Sequence, residues 1–267
     1  MSTPHGALYL VPNTLDFGIP GPAPDLQDVL PLDVIRIAAQ LGHWIAENAK
    51  TTRAFLKRVD AVAPLLQPLQ SISIVELPRP QKGGSNQARP RKGDAIKAPA
   101  FDAAALLEPA LRGLPIGLIS EAGLPAVADP GAVIVAAAHA LELRVVALPG
   151  ASSLLLALAA SGLNGQSFAF VGYLPTEPGP RAARIRELES LSQRLAQTQL
   201  MIETPYRNPM LLNALLEHLQ PTTLLSVSCG LTTPNSYTRT DSIAKWRSRP
   251  TALPADVPAV FSLLLRG

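Results

Sequence analysis

Short runs of β-forming residues alternate with helical stretches along the chain, and this alternation restricts the possible folds more than any other sequence feature. It is typical of α/β units, in which helices connect parallel strands. The sequence therefore predicts an α/β protein with mostly parallel sheets. The predicted strands span residues 7–11, 44–47, 71–76, 116–120, 145–148, 168–171, 199–203, 224–228 and 261–265. The predicted helices span residues 32–41, 51–59, 101–112, 132–141, 153–161, 181–195, 210–219 and 242–247.

The length of 267 residues favours two domains over one. Apolar residue types make up 47% of the chain and charged types 16%, so cores can form and global disorder is excluded. The stretch SGLNG at residues 161–165, rich in serine, glycine and asparagine, is the predicted hinge between the two domains. We expect an N-terminal α/β domain over residues 1–162 and a C-terminal α/β domain over residues 163–267.

A flexible basic insertion is predicted at about residues 79–99, because this segment is rich in proline, glycine and small polar residues. Six basic residues and one acid, Asp94, give it a net charge of 6 − 1 = +5, so the remaining chain carries 3 − 5 = −2. The arm could contact nucleic-acid phosphates, or it could be a solvated insertion that only aids solubility. The basic residues are Arg79, Lys82, Arg89, Arg91, Lys92 and Lys97.

The sequence lacks the patterns of several familiar sites. Cys229 is the single cysteine and the four histidines are scattered, so we expect no disulfide and no metal site. The motifs of phosphate-binding loops, dinucleotide sites and hydrolase serines are also missing. No apolar run is long enough to span a membrane and no secretory signal is visible, so we expect a soluble, cytoplasmic protein without a membrane partner.

Two predicted strand-to-helix loops have the composition of ligand-binding turns. Asp129 and Pro130 precede the helix predicted at 132–141, as an N-cap acid and a first-turn proline would. Pro149 and Gly150 follow a predicted strand and open the next helix. In parallel sheets such loops expose backbone groups at the carboxyl ends of the strands, although each loop alone is also ordinary turn chemistry.

Six stretches of the chain follow known patterns in a fixed order. The main one, LISEAGLPAVADPG at residues 118–131, resembles S-D-A-G-x-P-x-x-x-D-P-G, with Glu121 in place of the usual Asp. The others are GALYLV at 6–11, LPGASS at 148–153, ASGL at 160–163, FVGYLP at 170–175 and ETPYR at 203–207. Together they resemble the tetrapyrrole methylase superfamily, most closely the branch of the small-subunit ribosomal RNA cytidine 2′-O-methyltransferase.

The resemblance implies two α/β domains with a cleft between them that holds S-adenosylmethionine (SAM), and usually a homodimer. Such a pocket needs apolar walls and close backbone approach, which glycines at strand ends permit. The alternative is that these glycines and prolines only build tight turns. The cofactor-binding residues that the resemblance implies are Ser120, Glu121, Ala122, Gly123, Pro149, Gly150 and Gly172, with Thr204 and Tyr206 in addition.

The resemblance also implies three candidate catalytic residues. Residues 46–53 resemble A-E-D-T-R-x-T-R, which makes Glu47 a candidate proton acceptor or orienting group and Arg53 a candidate clamp for phosphate or carboxylate. Arg207 is a second candidate clamp. For each of the three, a structural salt bridge is an equal alternative. Asn48 stands where the pattern usually has Asp.

The motifs on the presumed acceptor side depart from the family patterns. Residues 13–17 differ from the T-P-I-G-N loop, and residues 230–237 only resemble E-L-T-K-x-x-E in part. The chain therefore resembles a divergent branch of the family, and three functions stay open. The first is a SAM-dependent methyltransferase of small-subunit ribosomal RNA, acting on a ribose 2′-hydroxyl and contacting the small ribosomal subunit. The second is a methyltransferase of tetrapyrroles or other small molecules, and the third is a SAM-binding protein without catalysis.

Overall fold

A computed structural model describes residues 6–16, 18–19, 21, 23–78 and 101–266. These residues form two compact units, and the chain leaves the first and enters the second between Ala151 and Ser152. A short stretch around Gly18 also belongs to the second unit. The basic insertion predicted at residues 79–99 lies outside the described residues.

The first unit contains a five-stranded sheet in which every pairing is parallel. Its strands are β1 (Ala7–Leu10), β2 (His43–Ala46), β3 (Ser73–Glu76), β4 (Ile116–Ile119) and β5 (Arg144–Ala147), in the spatial order β3-β2-β4-β1-β5. Its helices are α1 (Leu26–Val29), α2 (Leu32–Ala39), α3 (Ala49–Asp60), α4 (Glu108–Leu111) and α5 (Ala132–Ala140). The predicted α/β class is confirmed, and the carboxyl ends of all five strands lie at one edge of the sheet.

Apolar side chains cover both faces of this parallel sheet, as expected where helices flank it. On one face Trp44 of β2 packs edge-on against Phe55 of α3, with ring centroids 6.4 Å apart. On the other face Leu8 and Leu118 pack with Ile134 of α5. Because side chains on both faces are buried, the central strands of this sheet are apolar at successive positions.

The second unit contains a five-stranded mixed sheet. Its strands are β6 (Phe168–Phe170), β7 (Thr198–Ile202), β8 (Leu224–Cys229), β9 (Tyr237–Ser242) and β10 (Ala259–Leu264), in the order β6-β7-β10-β8-β9. Its helices are α6 (Ser153–Ser161), α7 (Pro178–Leu195), α8 (Asn208–His218) and α9 (Ile243–Ser248). Of the four pairings, β6 with β7 is parallel and the other three are antiparallel.

The expectation of mostly parallel sheets therefore holds for the first sheet but not for the second. A parallel pairing needs a crossover of a dozen or more residues, whereas only residues 230–236 connect β8 to β9, which must form a hairpin. The sequence does not predict β9, because this half-buried strand is largely polar. Its Arg239 instead stacks on Trp246 of α9, with the guanidinium carbon 3.9 Å from the ring centroid.

Helix α6 packs against β8, β9 and β10 of the second unit. The hydroxyl of Thr240 in β9 donates to the carbonyl of Ser161 at 2.9 Å and ties the end of this helix to the sheet. The division between the two units therefore precedes α6, whereas the predicted boundary at residue 162 follows it. The sequence of α6 is apolar on every side, so it does not indicate which sheet the helix covers.

None of the helices in the described part of the chain is both long and apolar enough to cross a membrane.

Candidate functional site

Loops that follow four adjacent strands meet at the carboxyl edge of the first sheet. Asn13 lies in the loop after β1, Glu47 directly follows β2, Ser120 directly follows β4, and Gly150 lies in the loop after β5. These strands are neighbours in the order β2-β4-β1-β5. The carboxyl edge of an open parallel sheet is where α/β proteins bind their ligands, so topology alone makes this edge the candidate site.

Asn13 fastens the loop after β4 to the loop after β1. Its side-chain amide donates to the carbonyls of Ser120 and Glu121, both at 3.1 Å, and its backbone N–H donates to the carbonyl of Gly123 at 2.9 Å. The side-chain oxygen of Asn13 accepts from the N–H of Thr14 at 2.9 Å. Asn13 is only 5% exposed, so it holds the backbone of residues 120–123 from the inside.

Glu47 supports the same loop from β2. Its carboxylate accepts a hydrogen bond from the backbone N–H of Glu121 at 3.0 Å, while its own N–H donates to the carbonyl of Ile119 at 3.2 Å. The next residue, Asn48, caps α3 by accepting from the N–H groups of Lys50 and Thr51. The Asn that replaces the family's usual Asp thus still acts as a helix cap.

The backbone around this edge is strained and closely packed. Ala126 and Ala128 have left-handed φ angles of 66° and 65°, which non-glycine residues adopt only at some cost in free energy. At Gly150 an added Cβ would lie 2.3 Å from the Cβ of Pro12, so no other residue fits without movement of the loops. Strain of this kind is concentrated at functional sites in proteins.

Asp129 lies among other acidic residues at this edge. Burial is the main cause that raises the pKa of its carboxyl from 3.8 to about 6; the charge of Glu47 and, more weakly, that of Glu121 add to the effect, and a hydrogen bond with Ser120 opposes it. We call Glu47, Glu121 and Asp129 the acidic cluster. The predicted N-cap role of Asp129 is wrong, because the residue before α5 is Gly131 and the Asp129 side chain interacts with Ser120 instead.

A second group of predicted residues lies together in the second unit. The carbonyl of Gly172, which has a φ of 72°, accepts from the N–H of Ile202 at 3.2 Å and so holds the loop after β6 beside the end of β7. An added Cβ at Gly172 would meet no atom within 4 Å, so its backbone borders open space. Tyr206 is 70% exposed.

Arg207 forms a structural salt bridge, which was the alternative to a catalytic role in the sequence analysis. Its guanidinium pairs with the buried carboxylate of Glu203 at 2.8 Å and donates to the hydroxyl of Thr204 at 3.0 Å. The guanidinium carbon also lies 5.5 Å from the ring centroid of Tyr206. These contacts fix the turn after β7 and engage the polar groups of both Arg207 and Thr204.

The predicted residues thus fall into two groups and one single residue. Arg53 stands apart on the exposed side of α3 and forms no hydrogen bond or ion pair with any described residue. Within the described ranges, no group of three or more His, Cys, Asp or Glu side chains could hold a metal ion. The first group comprises Glu47, Ser120, Glu121, Ala122, Gly123, Pro149 and Gly150, and the second Gly172, Thr204, Tyr206 and Arg207.

Sequence reasoning missed Asn13 as a site residue and treated the stretch 13–17 only as a departure from a family pattern. The structure gives that stretch its own support: Arg58 of α3 pairs with Asp16 at 3.1 Å, donates to Thr14 at 3.1 Å and donates to the carbonyl of Pro24 at 2.8 Å. The available signal for Asn13 was a polar residue in the loop after a predicted strand, but its partners are more than a hundred positions away.

The fold and the candidate site together describe a class of protein. It is an α/β protein of two units whose candidate ligand-binding edge is formed by glycine-containing loops after parallel strands. The sequence profile of the tetrapyrrole (corrin/porphyrin) methylases matches residues 49–245, which is most of the chain. The chain belongs to this family, and the resemblance of its motifs is confirmed.

Curated relatives and a solved structure agree with this membership. The chain is 28% identical over 202 residues to "Ribosomal RNA small subunit methyltransferase I" of Streptococcus pyogenes serotype M6, covering 76% of this chain and 57% of that protein. It is 40% identical over 107 residues to the protein of the same name from Mesorhizobium japonicum, covering 40% and 35%. The aligned part of the chain thus spans 57% of the length of the first relative and 35% of the length of the second. The methyltransferase CobJ has a similar fold, with a TM-score of 0.54, 16% identity and coverage of 97% and 94%.

Proposed function

We propose that the protein is a SAM-dependent methyltransferase that methylates small-subunit ribosomal RNA at a ribose 2′-hydroxyl. Family membership supports the methyl transfer, and the names of the curated relatives support the RNA acceptor. As the resemblance implies, the proposal includes a homodimer and contact with the small ribosomal subunit; it also includes a cytoplasmic location.

The observation that carries the proposal is the acidic cluster at the carboxyl edge of the first sheet. SAM has a sulfonium cation and an ammonium group, so its site should carry negative potential next to backbone hydrogen-bonding groups. The raised pKa of Asp129 reflects burial together with the charges of Glu47 and Glu121, and a bound cation would relieve that repulsion. The chemistry of this edge therefore fits SAM.

The predicted cofactor contacts supply the remaining requirements of the site. Gly172 lets the backbone approach a ligand closely, Gly150 lets the loops after β1 and β5 approach each other, and Asn13 keeps the loop of residues 120–123 in one conformation. In the proposal Ser120, Glu121, Ala122, Gly123, Pro149 and Gly150 bind SAM. Gly172, Thr204 and Tyr206 stay predicted cofactor contacts.

Methyl transfer from SAM is an in-line displacement with a good leaving group, so most of the work of the protein is positioning. We assign that role to Glu47, which holds the backbone of Glu121. Acceptance of the proton from the ribose hydroxyl by Glu47 stays a prediction. Arg53 is free to contact a phosphate, whereas Arg207 supports the turn after β7 through Glu203.

The test is methyl transfer from methyl-labelled SAM to small ribosomal subunits prepared from cells that lack the relatives' methyltransferase. We expect label in the ribosomal RNA. A 2′-O-methyl group blocks alkaline cleavage of the neighbouring phosphodiester, so the label should be recovered in an alkali-resistant dinucleotide. Label in an ordinary mononucleotide would contradict the ribose assignment and indicate a base methylation.

Two control measurements separate the parts of the proposal. Calorimetric binding of SAM in the same preparation tests the cofactor, and a protein that binds no SAM would overturn the methyltransferase assignment. A protein that binds SAM but labels no RNA would overturn the acceptor instead. Glu47→Gln should weaken SAM binding only in part, because Glu121 and Asp129 keep their carboxylates, and should lose transfer if Glu47 deprotonates the acceptor.

A further inference from the structure

Helix α3 carries a line of exposed cations that starts beside the candidate site. Lys50, Arg53 and Lys57 are all exposed, and their spacing of three and four residues places them on one face of the helix. The opposite face is buried through Phe55 and Leu56. The line rises about 10 Å along the helix axis, since each residue adds about 1.5 Å. We call these three residues the cationic track.

The position of the track works against the stability of the helix itself. The N-terminal end of a helix carries partial positive charge and favours acidic residues, yet the first turn of α3 contains Lys50 and no acid. Helices α1, α2 and α4 have an acid in the first turn, whereas α5 to α9, like α3, have none.

The track is not neutralised by the described part of the chain. Lys50, Arg53 and Lys57 form no ion pair with any described residue, whereas Arg58 on the same helix pairs with Asp16. Glu76 of β3 lies at the start of the helix, where its carboxylate accepts a hydrogen bond from the backbone N–H of Ala49 at 2.6 Å. Among the described residues, the three side chains are therefore exposed cations without an acidic partner.

The geometry points to a phosphate backbone as the partner, and we propose that the cationic track holds the RNA strand next to the nucleotide being methylated. This proposal rests on the proposed function. Glu47 ends β2 and contacts the loop of Glu121, and α3 begins two residues later, so the track runs away from the candidate site itself. Lysines and arginines in a line bind successive phosphates irrespective of base sequence.

The test compares Lys50→Ala/Lys57→Ala with the control Arg36→Ala/Arg144→Ala, which removes the same charge from exposed cations on α2 and β5. Arg53 is left intact because it is a candidate catalytic residue. Binding of in vitro transcribed small-subunit ribosomal RNA is measured against salt concentration. Each lost phosphate contact lowers the log–log slope by about 0.7 for single strands, so the track variant should lose about 1.4 from the slope and roughly 10- to 30-fold in affinity at 0.1 M salt.

Each possible result decides one question. An unchanged slope and affinity in the track variant, with wild-type protein that binds and methylates RNA, would overturn the track and leave the proposed function intact. Wild-type protein that neither binds nor methylates RNA would overturn the proposed function. Equal losses in both double variants would attribute the effect to net charge and overturn the track. Loss of binding to phosphatidylglycerol vesicles but not to RNA would assign the track to a membrane surface instead. Unchanged SAM affinity and melting temperature confirm that the variants are folded.

Discussion

At the scale of single residues, the buried carboxylate of Asp129 lowers the stability of the folded protein near neutral pH. Its pKa of about 6 in the folded protein lies above the ordinary 3.8, so its stabilising contribution is present below about pH 4 and is lost as pH rises through 6. We expect Asp129→Asn to raise the free energy of unfolding at pH 7.5 by about 1–2 kcal/mol, after allowance for partial exposure, and to change it little at pH 4. Urea unfolding at both pH values measures this.

The matched control is Asp256→Asn, which alters an exposed carboxylate in the second unit. It should leave the unfolding free energy nearly unchanged at both pH values. An Asp129→Asn variant that is less stable than wild type at pH 7.5 would mean that the carboxylate is held by favourable contacts, and the electrostatic description of the acidic cluster would be wrong.

Asn13 gives a second prediction at the same scale, because its side chain donates to one buried and one partly buried carbonyl. Asn13→Ala leaves the carbonyls of Ser120 and Glu121 without their donor, which costs about 1–3 kcal/mol of stability. We also expect weaker SAM binding, since the loop of residues 120–123 is no longer fixed. Thermal unfolding and calorimetric titration test this against Asn235→Ala, an exposed loop asparagine. Equal effects in the two variants would contradict the role of Asn13.

At the scale of elements, the close approach of the loops after β1 and β5 depends on Gly150. The added Cβ in Gly150→Ala would overlap Pro12, so the two loops must move apart and stability should fall by about 1–3 kcal/mol. Gly165→Ala is the matched control, because a Cβ there meets nothing within 4 Å and its φ is ordinary. Chemical denaturation of the two variants compares them; a Gly150→Ala protein as stable as wild type would show that the loops are loosely packed.

The sequence predicts some strands and site residues of this protein but not others. The first sheet was predictable, because β1, β2 and β4 are apolar on both faces and each is followed by a helix or a turn motif. Strand β9 was not, because its residues are polar and its pairing with β8 depends on the hairpin between them. At the site, Ser120 and Gly150 were found by their local motif, whereas the contacts of Asn13 and Asp129 arise from pairings of distant segments.

At the scale of the whole molecule, we expect the acidic cluster to make ligand binding depend on pH. Deprotonated Asp129 attracts a cation, so SAM should bind more tightly at pH 8 than at pH 5.5. S-adenosylhomocysteine has a neutral sulfur and should show a smaller change. Ligand at 100 times its Kd stabilises the folded protein by about 2.7 kcal/mol, which thermal unfolding readily detects. A SAM to S-adenosylhomocysteine affinity ratio that does not change with pH would contradict the assignment of the sulfonium to this cluster.

The strand order of the first sheet has a consequence for the newly made chain. Strands β1 and β2 do not pair with each other, since β4 lies between them and pairs with both. During synthesis β2 can join β3, but β1 has no partner until Ile116–Ile119 has left the ribosome. Until then, unpaired apolar strand edges are open to wrong associations. The central pairings of the first sheet can therefore form only after β4 has emerged from the ribosome. We expect the nascent chain to need chaperones most just before that point.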